Sequence, residues 1–288
     1  MRNLNYQLKQ LCTINKDGSY GTQSNRAWLL SLMANQLHDL GFRGMNARSL
    51  KQKHIIALTK LWERQGISTG TRKNRLSALR WWAKKVNKHS VINKDNSTYG
   101  IGSRRYVTNY SKSQDLDPGK LASINDPNIE LSIRLQAAFG LRREEAIKFQ
   151  PRYAMQGDHL RLKSSWCKGG RARSVPITTD EQRELIAEVD SIARSGSLIP
   201  PQLTYIQQLH RYEGKIRRAG LSKLHGLRHG YAQRRFEVLA GFPCPAQGGP
   251  TTKELTREQR ALNEKARAMI SAELGHSRES VTAVYLGR

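Results

Sequence analysis

The chain has 288 residues, enough for one large domain or two ordinary ones, and its hydrophobic content of 38% can form a packed core, which excludes a disordered basic tail. Its 49 lysines and arginines outnumber 23 acidic residues and give a net charge of +26, which favours a polyanionic partner, most commonly nucleic acid. An acidic membrane surface is the rival, but the sequence shows no apolar run of membrane-spanning length and no signal-peptide core.

Cysteine usage indicates a reducing compartment. The three cysteines, Cys12, Cys167 and Cys244, are scattered and odd in number, with neither metal-ligand spacing nor a disulfide framework. No cluster of aspartate and glutamate suggests a metal site either. We therefore expect no metal, no cofactor and no membrane association, and a cytoplasmic location, in the cytosol or nucleoid of a bacterium.

The first hundred residues are predicted to be helical, because their apolar residues recur at helical spacing. A short helix is expected around residues 3–12. The next helix is predicted to begin at the N-cap Ser24 and to stop at Gly41. The apolar residues at helical spacing, which predict its inward face, are Trp28, Leu29, Leu32, Met33, Leu37 and Leu40. A third helix is predicted to end at Gly66.

The helix that follows, within residues 68–88, is predicted to turn Leu76, Leu79 and either Trp82 or Val86 inward and has a basic opposite face. Such a face is usually an ordinary solvated surface, but almost no acidic residues balance it here, so we interpret it as a DNA-binding face. The candidate DNA-binding residues are Arg72, Lys73, Arg75, Arg80, Lys84 and Lys85, with Arg104 and Arg105 from the next segment.

Residues 89–117 lose helical periodicity and gain Asn, Ser and Gly, which is typical of a linker. We therefore expect one helical domain over residues 1–110 and a second domain over residues 111–288. Most of the excess positive charge lies before residue 113, so the first domain is expected to make more phosphate contacts.

The second domain is predicted to be mostly helical, with one interruption. Leu160 and Leu162 alternate in a predicted strand, a Gly-Gly turn follows, and a second strand ends in Val-Pro-Ile, so a small hairpin is expected. Further on, the irregular stretch FPCPAQGGP precedes a long helix with Gly275 just past its end. The predicted fold is mainly α, with a small β-hairpin or sheet.

Five short stretches of the second domain carry side chains suited to chemistry. In chain order they contain Arg142 and Glu145; Lys168; His225, Arg228 and His229; His276; and Tyr285. Each stretch alone has an ordinary explanation, such as a surface ion pair, a solvated turn or a packed aromatic ring. Their joint occurrence in this order is improbable by chance.

In that order the stretches resemble the tyrosine recombinases, the phage-integrase family. The family has three sequence boxes and a hairpin lysine. The first box is Gly-x-Arg-x-x-Glu, the second is His-x-x-Arg-His, and the third is Leu-Gly-His followed nine residues later by Tyr; the lysine lies eight residues before a Val-Pro proline. The matching segments are Gly140–Glu145, Lys168 with Pro176, His225–His229, and Leu274–His276 with Tyr285.

The resemblance implies a helical, SAM-like core-binding domain over residues 1–110 that clamps DNA and a catalytic domain over 111–288. It implies a site-specific recombinase or integrase of a mobile genetic element that cleaves and rejoins DNA through a 3′-phosphotyrosine. Double-stranded DNA would be the partner. We expect a monomer in solution and a multimer, a tetramer, on DNA.

The resemblance also implies a role for each site residue, and the physical chemistry agrees. Tyr285 would be the nucleophile, and Arg142 and Arg228 would hold the non-bridging phosphate oxygens. The remaining roles fall to His225 as acid–base helper, Lys168 as donor of a proton to the departing 5′-oxygen, His276 as a phosphate hydrogen-bond donor, and Glu145 and His229 as supporting residues.

Two other functions are compatible with these residues. A type IB topoisomerase shares the chemistry but relaxes supercoils as a monomer. An architectural factor on a recombinase scaffold would only bind DNA and activate another recombinase, but it would not need Tyr285 or Lys168.

Residues 241–266 look longer than the usual connection in the family. We expect FPCPAQGGP to reach out of the domain and the following helix to offer Leu262, Ala266 and Met269 to a neighbouring protomer. The alternative is that this helix packs only on its own domain.

Overall fold

The computed structural model describes residues 2–288. These residues divide into two compact units, of which the first ends at Arg105 and the second runs from Tyr106 to Arg288. The division lies within the segment predicted as a linker. Both units are predominantly helical and the second contains a small antiparallel sheet, so the predicted fold class is confirmed.

Four α-helices form the first unit within its described residues. They are α1 (Asn3–Ile14), α2 (Tyr20–Asp39), α3 (Gln52–Arg64) and α4 (Thr69–Lys85). Their apolar stripes meet in one core that buries Met33, Leu58, Trp62 and Trp82 completely. Ser68 caps α4 by accepting a hydrogen bond from the Thr71 backbone N–H at 3.3 Å.

Two predictions for α2 are wrong. The helix begins four residues before Ser24, because Ser19 is the N-cap and its hydroxyl accepts a hydrogen bond from the Thr22 backbone N–H. Trp28 is 61% exposed rather than inward. The inward stripe of the helix instead runs through Leu29, Leu30, Met33, Ala34 and Leu37.

The second unit has nine helices and three strands in its described residues. They are α5 (Pro118–Ala122), α6 (Pro127–Phe139), α7 (Arg143–Ile147), α8 (Pro151–Ala154), β1 (Met155–Gln156), β2 (His159–Leu162), β3 (Arg173–Pro176), α9 (Asp180–Ala193), α10 (Tyr205–Arg218), α11 (His225–Ala240), α12 (Arg257–Glu273) and α13 (Glu279–Leu286). The strand order is β1-β2-β3, antiparallel throughout, with Leu160 opposite Val175. The predicted hairpin is confirmed, and β1 was not predicted.

Helix α11 occupies the centre of the second unit and packs against α6, α12 and α13. The turn after α6 approaches it very closely. Gly140 has φ of +59°, and a Cβ there would lie 2.6 Å from the Tyr231 ring, so only glycine fits. This turn leads directly to Arg142, which is the N-cap residue of α7.

The prediction that FPCPAQGGP reaches out of the domain is wrong. Cys244, Pro245 and Ala246 are buried, and the segment packs against α13. On α12, Ala266 faces the core at 1% exposure, whereas Leu262 and Met269 remain exposed. The apolar atoms of this segment therefore complete the core of their own unit.

None of the helices formed by residues 2–288 has the length and apolarity needed to cross a bilayer.

Candidate active site

Tyr285 lies on α13 in a cage of imidazole rings. Its hydroxyl is 3.2 Å from Nε2 of His225, the first residue of α11. Its ring packs against those of His229 and His276, with centroid distances of 4.3 and 5.2 Å. Only 7% of Tyr285 is exposed. The second and third boxes of the sequence therefore meet around the phenol.

Arg228 is the buried cation of this cage. It is 1% exposed, and its guanidinium carbon lies 5.8 Å from the centroid of the Tyr285 ring. Its Nη1 and Nη2 donate to the carbonyls of Gly140 and Leu274, which ties the first and third boxes to α11. Its Nε has no partner among residues 2–288.

Burial, and then repulsion from Arg142, lower the pKa of Arg228 to about 10. This value is still far above neutrality, so the guanidinium keeps its charge at physiological pH.

Arg142 is oriented by a fully buried carboxylate. Its backbone N–H donates to Glu145 Oε2 at 2.6 Å, and its Nη1 donates to Oε1 at 2.8 Å. Glu145 also receives two hydrogen bonds from Arg173, at 2.6 and 2.7 Å. Burial raises the pKa of Glu145, but the bonds and charge of Arg173 outweigh it, and the pKa falls to about 2.

The three imidazoles near Tyr285 are neutral at physiological pH. Burial is the largest cause of the lowered pKa of each ring. The pKa of His225 is lowered, the pKa of His229 falls to about 4, and the pKa of His276 falls to about 3. The next cause is the neighbouring Arg228 for His225 and His276, and His225 for His229. A neutral His225 can accept the phenol proton, because its Nε2 already contacts the hydroxyl.

His276 is held by one side of its ring. Its Nδ1 lies 2.8 Å from Oγ1 of Thr282, a buried residue of α13. Its Nε2 has no hydrogen-bond partner in the described chain. Within residues 2–288, no group of three or more His, Cys, Asp or Glu side chains is placed to hold a metal ion.

Lys168 is the one predicted catalytic residue that the fold does not tie to the cage. It is exposed on the connection between β2 and β3, beside Gly169 and Gly170, whose φ angles are +80° and +69°. No hydrogen bond or ion pair joins its amine to another residue in the described part of the chain. Its neighbour Cys167 is anchored, since Arg173 Nη1 lies 3.3 Å from the Cys167 sulfur.

The predicted DNA-binding face of α4 is only partly available. The prediction that Arg75 lies on this face is wrong: it is 9% exposed and its guanidinium lies over the Trp62 ring. Arg80 donates to the Asn93 carbonyl at 2.9 Å, and Arg72 lies 3.8 Å from Glu63.

The other candidates on this surface differ in their contacts. Lys85 pairs with Asp17 at 2.9 Å, and the Arg104 guanidinium lies against Gly70 at the start of α4. Lys84 and Arg105 are exposed and Lys73 is half-exposed. These last three side chains are best placed to meet a phosphate backbone.

Sequence reasoning missed Arg173, which contacts Glu145 from β3. A signal was present, because Arg173 and Val175 lie two residues apart in the strand that ends at Pro176 and therefore share its inward face. An arginine on the inward side of a strand needs an acidic or carbonyl partner in the core.

The sequence matches two related family models. One, for the N-terminal part of phage integrases, matches residues 1–91, and the other, for integrases, matches residues 102–234. No curated protein matches the chain.

Several solved structures are similar to this chain. A lambda integrase dimer bound to a COC′ core site has 15% identity and a TM-score of 0.62, covering 99% of this chain and 78% of that one. XerH site-specific recombinase bound to its difH substrate has 17% identity and a TM-score of 0.57, covering 98% and 80%. The Tn1549 transposon integrase in complex with circular intermediate DNA has 16% identity and a TM-score of 0.55, covering 98% and 95%.

At these identities the structural likeness shows the shared fold. The two family matches cover most of both units, and they agree with the resemblance that the sequence boxes predicted. This chain belongs to the phage-integrase family of tyrosine recombinases.

Proposed function

We propose that this recombinase cleaves and rejoins double-stranded DNA through a covalent bond between Tyr285 and a 3′-phosphate. The observation that carries the proposal is the placement of the phenol. Its hydroxyl contacts a neutral imidazole, while the ring lies beside a buried guanidinium. A tyrosine with a purely structural role needs neither contact.

In the first step the Tyr285 oxygen attacks the phosphorus and its proton passes to Nε2 of His225. The bond from phosphorus to the 5′-oxygen breaks, and Lys168 donates a proton to that oxygen. The products are a 3′-phosphotyrosine and a free 5′-hydroxyl. Lys168 lies on an exposed, glycine-flanked connection, so its amine can reach the leaving oxygen without rearranging the core.

The transition state places extra negative charge on the non-bridging oxygens, which Arg142 and Arg228 stabilise. Both guanidiniums are held in place before DNA binds, Arg142 by Glu145 and Arg228 by two backbone carbonyls. Donors fixed in advance lose little free energy to reorganisation. His276 adds a hydrogen bond through its unpartnered Nε2.

The phosphotyrosine keeps the energy of the broken bond. A 5′-hydroxyl from another strand can attack its phosphorus and give its proton to the now neutral Lys168. The bond between phosphorus and the tyrosine oxygen then breaks, and His225 returns the proton to that oxygen. Strand exchange therefore needs no ATP. We propose that it needs no metal ion either, because the two guanidiniums meet the developing charge.

Binding of DNA rests on the positive charge of the chain. We propose that the first domain, residues 1–110, holds the duplex through Lys73, Lys84 and Arg105. The site-specific recombinase XerH was solved bound to its difH substrate, and a lambda integrase tetramer was solved bound to a Holliday junction. By analogy we propose that this chain is a monomer when free and a tetramer on two duplexes, acting for a mobile genetic element.

Covalent trapping tests this function. A pool of duplexes with random sequence beside a single nick is incubated with the protein, so that cleavage releases a short strand and prevents rejoining. Adducts should persist on a denaturing gel for the wild type. Tyr285→Phe should bind the pool and form none, whereas Tyr110→Phe, at an 82% exposed tyrosine, should behave as wild type.

Binding without any adduct in the wild type would favour the architectural factor. Relaxation of supercoiled DNA by a monomer, without strand exchange between duplexes, would favour the topoisomerase.

A further inference from the structure

Arg173 on β3 is buried at 8% exposure and contacts three separated segments of the second unit. Its Nη1 and Nη2 donate to the two oxygens of Glu145, at 2.6 and 2.7 Å. Its Nε donates to the Glu273 carbonyl at 2.7 Å, and its Nη1 also lies 3.3 Å from the Cys167 sulfur. Nearly all of its donors are therefore used inside the protein.

These contacts restrain the orientation of the guanidinium. The Glu273 carbonyl at the end of α12 accepts from its Nε, and the two oxygens of Glu145 accept from its Nη1 and Nη2. Gly275 lies close to the aliphatic part of the Arg173 side chain, since a Cβ at that position would be 2.8 Å from Arg173 Cδ. A residue with a Cβ could not bring this turn so close to the arginine without a shift.

The orientation of Arg173 sets that of the Glu145 carboxylate, which in turn sets Arg142. Each oxygen of Glu145 serves both arginines: Oε1 accepts from Arg173 and from Arg142 Nη1, and Oε2 accepts from Arg173 and from the Arg142 backbone N–H. Arg142 is 23% exposed at its side chain and makes no other ion pair within residues 2–288, so this carboxylate is its anchor.

We propose that Arg173 is a positioning residue for cleavage: it holds Glu145 in the orientation that aims the Arg142 guanidinium at the scissile phosphate. It does not touch DNA itself, because its donors are already occupied in the interior. The expected effect on the cleavage rate rests on the proposed function. The orientation of Arg142 does not, because it can be measured without DNA.

Lysine cannot replace arginine here. An ammonium group keeps the charge that Glu145 needs, but it lacks the planar fork that contacts both carboxylate oxygens and the Glu273 carbonyl together. Arg173→Lys should therefore fold and still leave the carboxylate less restrained. Arg161→Lys is the matched control, because Arg161 is exposed on the neighbouring strand β2.

The first test measures single-turnover cleavage of nicked duplex at saturating protein. Arg173→Lys should cleave roughly 100-fold more slowly, the loss typical of a small misplacement of a reacting group, while its Kd for DNA stays within about threefold of wild type. Arg161→Lys should match the wild type in both. An unchanged cleavage rate in Arg173→Lys would overturn the proposal.

The second test separates positioning from general structural support. In the Arg142→Ala background, adding Arg173→Lys should slow cleavage by less than about threefold, because the residue through which it acts is gone. A merely structural role predicts the same roughly 100-fold loss in both backgrounds, and that result would contradict the proposal.

The third test needs no reaction. The Arg142 side-chain Nε–H signal in a nitrogen-15 NMR spectrum of the free protein should move or broaden in Arg173→Lys and stay in place in Arg161→Lys. An unmoved signal would refute positioning even if the proposed function holds. A moved signal in a protein that forms no adduct would support positioning and refute the proposed function alone.

If Arg173→Lys does not fold, the neutral pair Arg173→Gln with Glu145→Gln removes both buried charges at once. This variant should fold and cleave slowly. Cleavage at the wild-type rate would show that the buried pair does not orient Arg142.

Discussion

The two candidate phosphate-binding arginines differ in what else they do. Arg228 is fully buried and holds two backbone carbonyls, so its truncation would also leave those carbonyls unpaired. Arg142 is part-exposed and bound to one carboxylate. Its truncation therefore reports on catalysis with less disturbance of the fold.

We expect Arg142→Ala to lower the single-turnover cleavage rate by two to three orders of magnitude, or about 3 kcal/mol of transition-state stabilisation, with a much smaller loss of DNA affinity. Arg143→Ala is the matched control, because its neighbouring guanidinium is exposed and pairs with Glu213. Equal losses of rate and affinity in Arg142→Ala would mean that this arginine only holds DNA.

The imidazoles make folding sensitive to acid. His229 and His276 have folded pKa values of about 4 and about 3, below the ordinary 6.5, so the unfolded chain binds more protons than the folded one in that interval. Their contribution to stability is complete above pH 6.5 and is lost as the pH falls towards 3. The free energy of unfolding should therefore decrease with acid across this window.

Denaturant unfolding at several pH values measures this dependence. His276→Gln should make the decrease shallower between pH 6.5 and 3, because one protonation site is removed. An identical slope in the variant would show that this histidine titrates normally in the folded protein.

Helix α13, which carries Tyr285, is short, and residues of other segments hold its end through hydrogen bonds. Gln233 Nε2 donates to the Tyr285 carbonyl at 3.0 Å, and Asn109 makes hydrogen bonds with the backbone of Arg288. Gly287 closes the helix with φ of +78°, and a Cβ there would lie 2.9 Å from the backbone nitrogen of Ala246. The position of the nucleophile thus depends on the segment around Ala246.

Gly287→Ala should shift the end of α13, slow cleavage and lower the free energy of unfolding by about 1–3 kcal/mol beyond the backbone strain itself. Gly241→Ala is a control for a left-handed glycine without a clash, since Gly241 has φ of +78° and open space around it, with ψ of 8° where Gly287 has −173°. Thermal unfolding and nicked-DNA cleavage are measured for both variants, and only Gly287→Ala should slow cleavage. Equal effects of the two variants would show that contact with Ala246 does not position the helix.

The elements with regular spacing could be predicted from sequence, and those that depend on tertiary burial could not. The hairpin was predictable because Leu160 and Leu162 alternate before a Gly-Gly turn. The burial of Cys244 and Ala246 was not, because FPCPAQGGP has the composition of a surface loop and its burial depends on tertiary packing, including that against α13. Ser19 and Ser24 are equally good caps in composition, so the start of α2 was ambiguous.

At the site, the boxes identified which residues meet but not how they are held. The cage around Tyr285 follows from the joint spacing of the histidines and Arg228. The bidentate contact of Arg173 with Glu145 pairs residues 28 positions apart, and no local pattern links them. Likewise, helical spacing placed Arg75 on the basic face, although packing against Trp62 buries it.

Across the whole molecule, the charge of +26 makes affinity for DNA electrostatic and sensitive to salt. Replacing both Lys73 and Lys84 with alanine should flatten the slope of log affinity against log salt by roughly one unit per lost phosphate contact. The corresponding arginine variants keep the charge and should keep the slope. Fluorescence anisotropy in a salt series measures it, and an unchanged slope in the alanine variant would place the contacts elsewhere.

The central claim is that the bond to DNA forms at the phenol of Tyr285. After trapping on the nicked-duplex pool, nuclease and trypsin digestion followed by mass spectrometry identifies the peptide that carries a nucleotide. We predict the peptide Glu279–Arg288, modified at its single tyrosine through a 3′-phosphate, with a free 5′-hydroxyl on the released strand. A nucleotide on any other residue, a 5′-phosphate linkage, or DNA cleavage with no peptide attached would contradict the account.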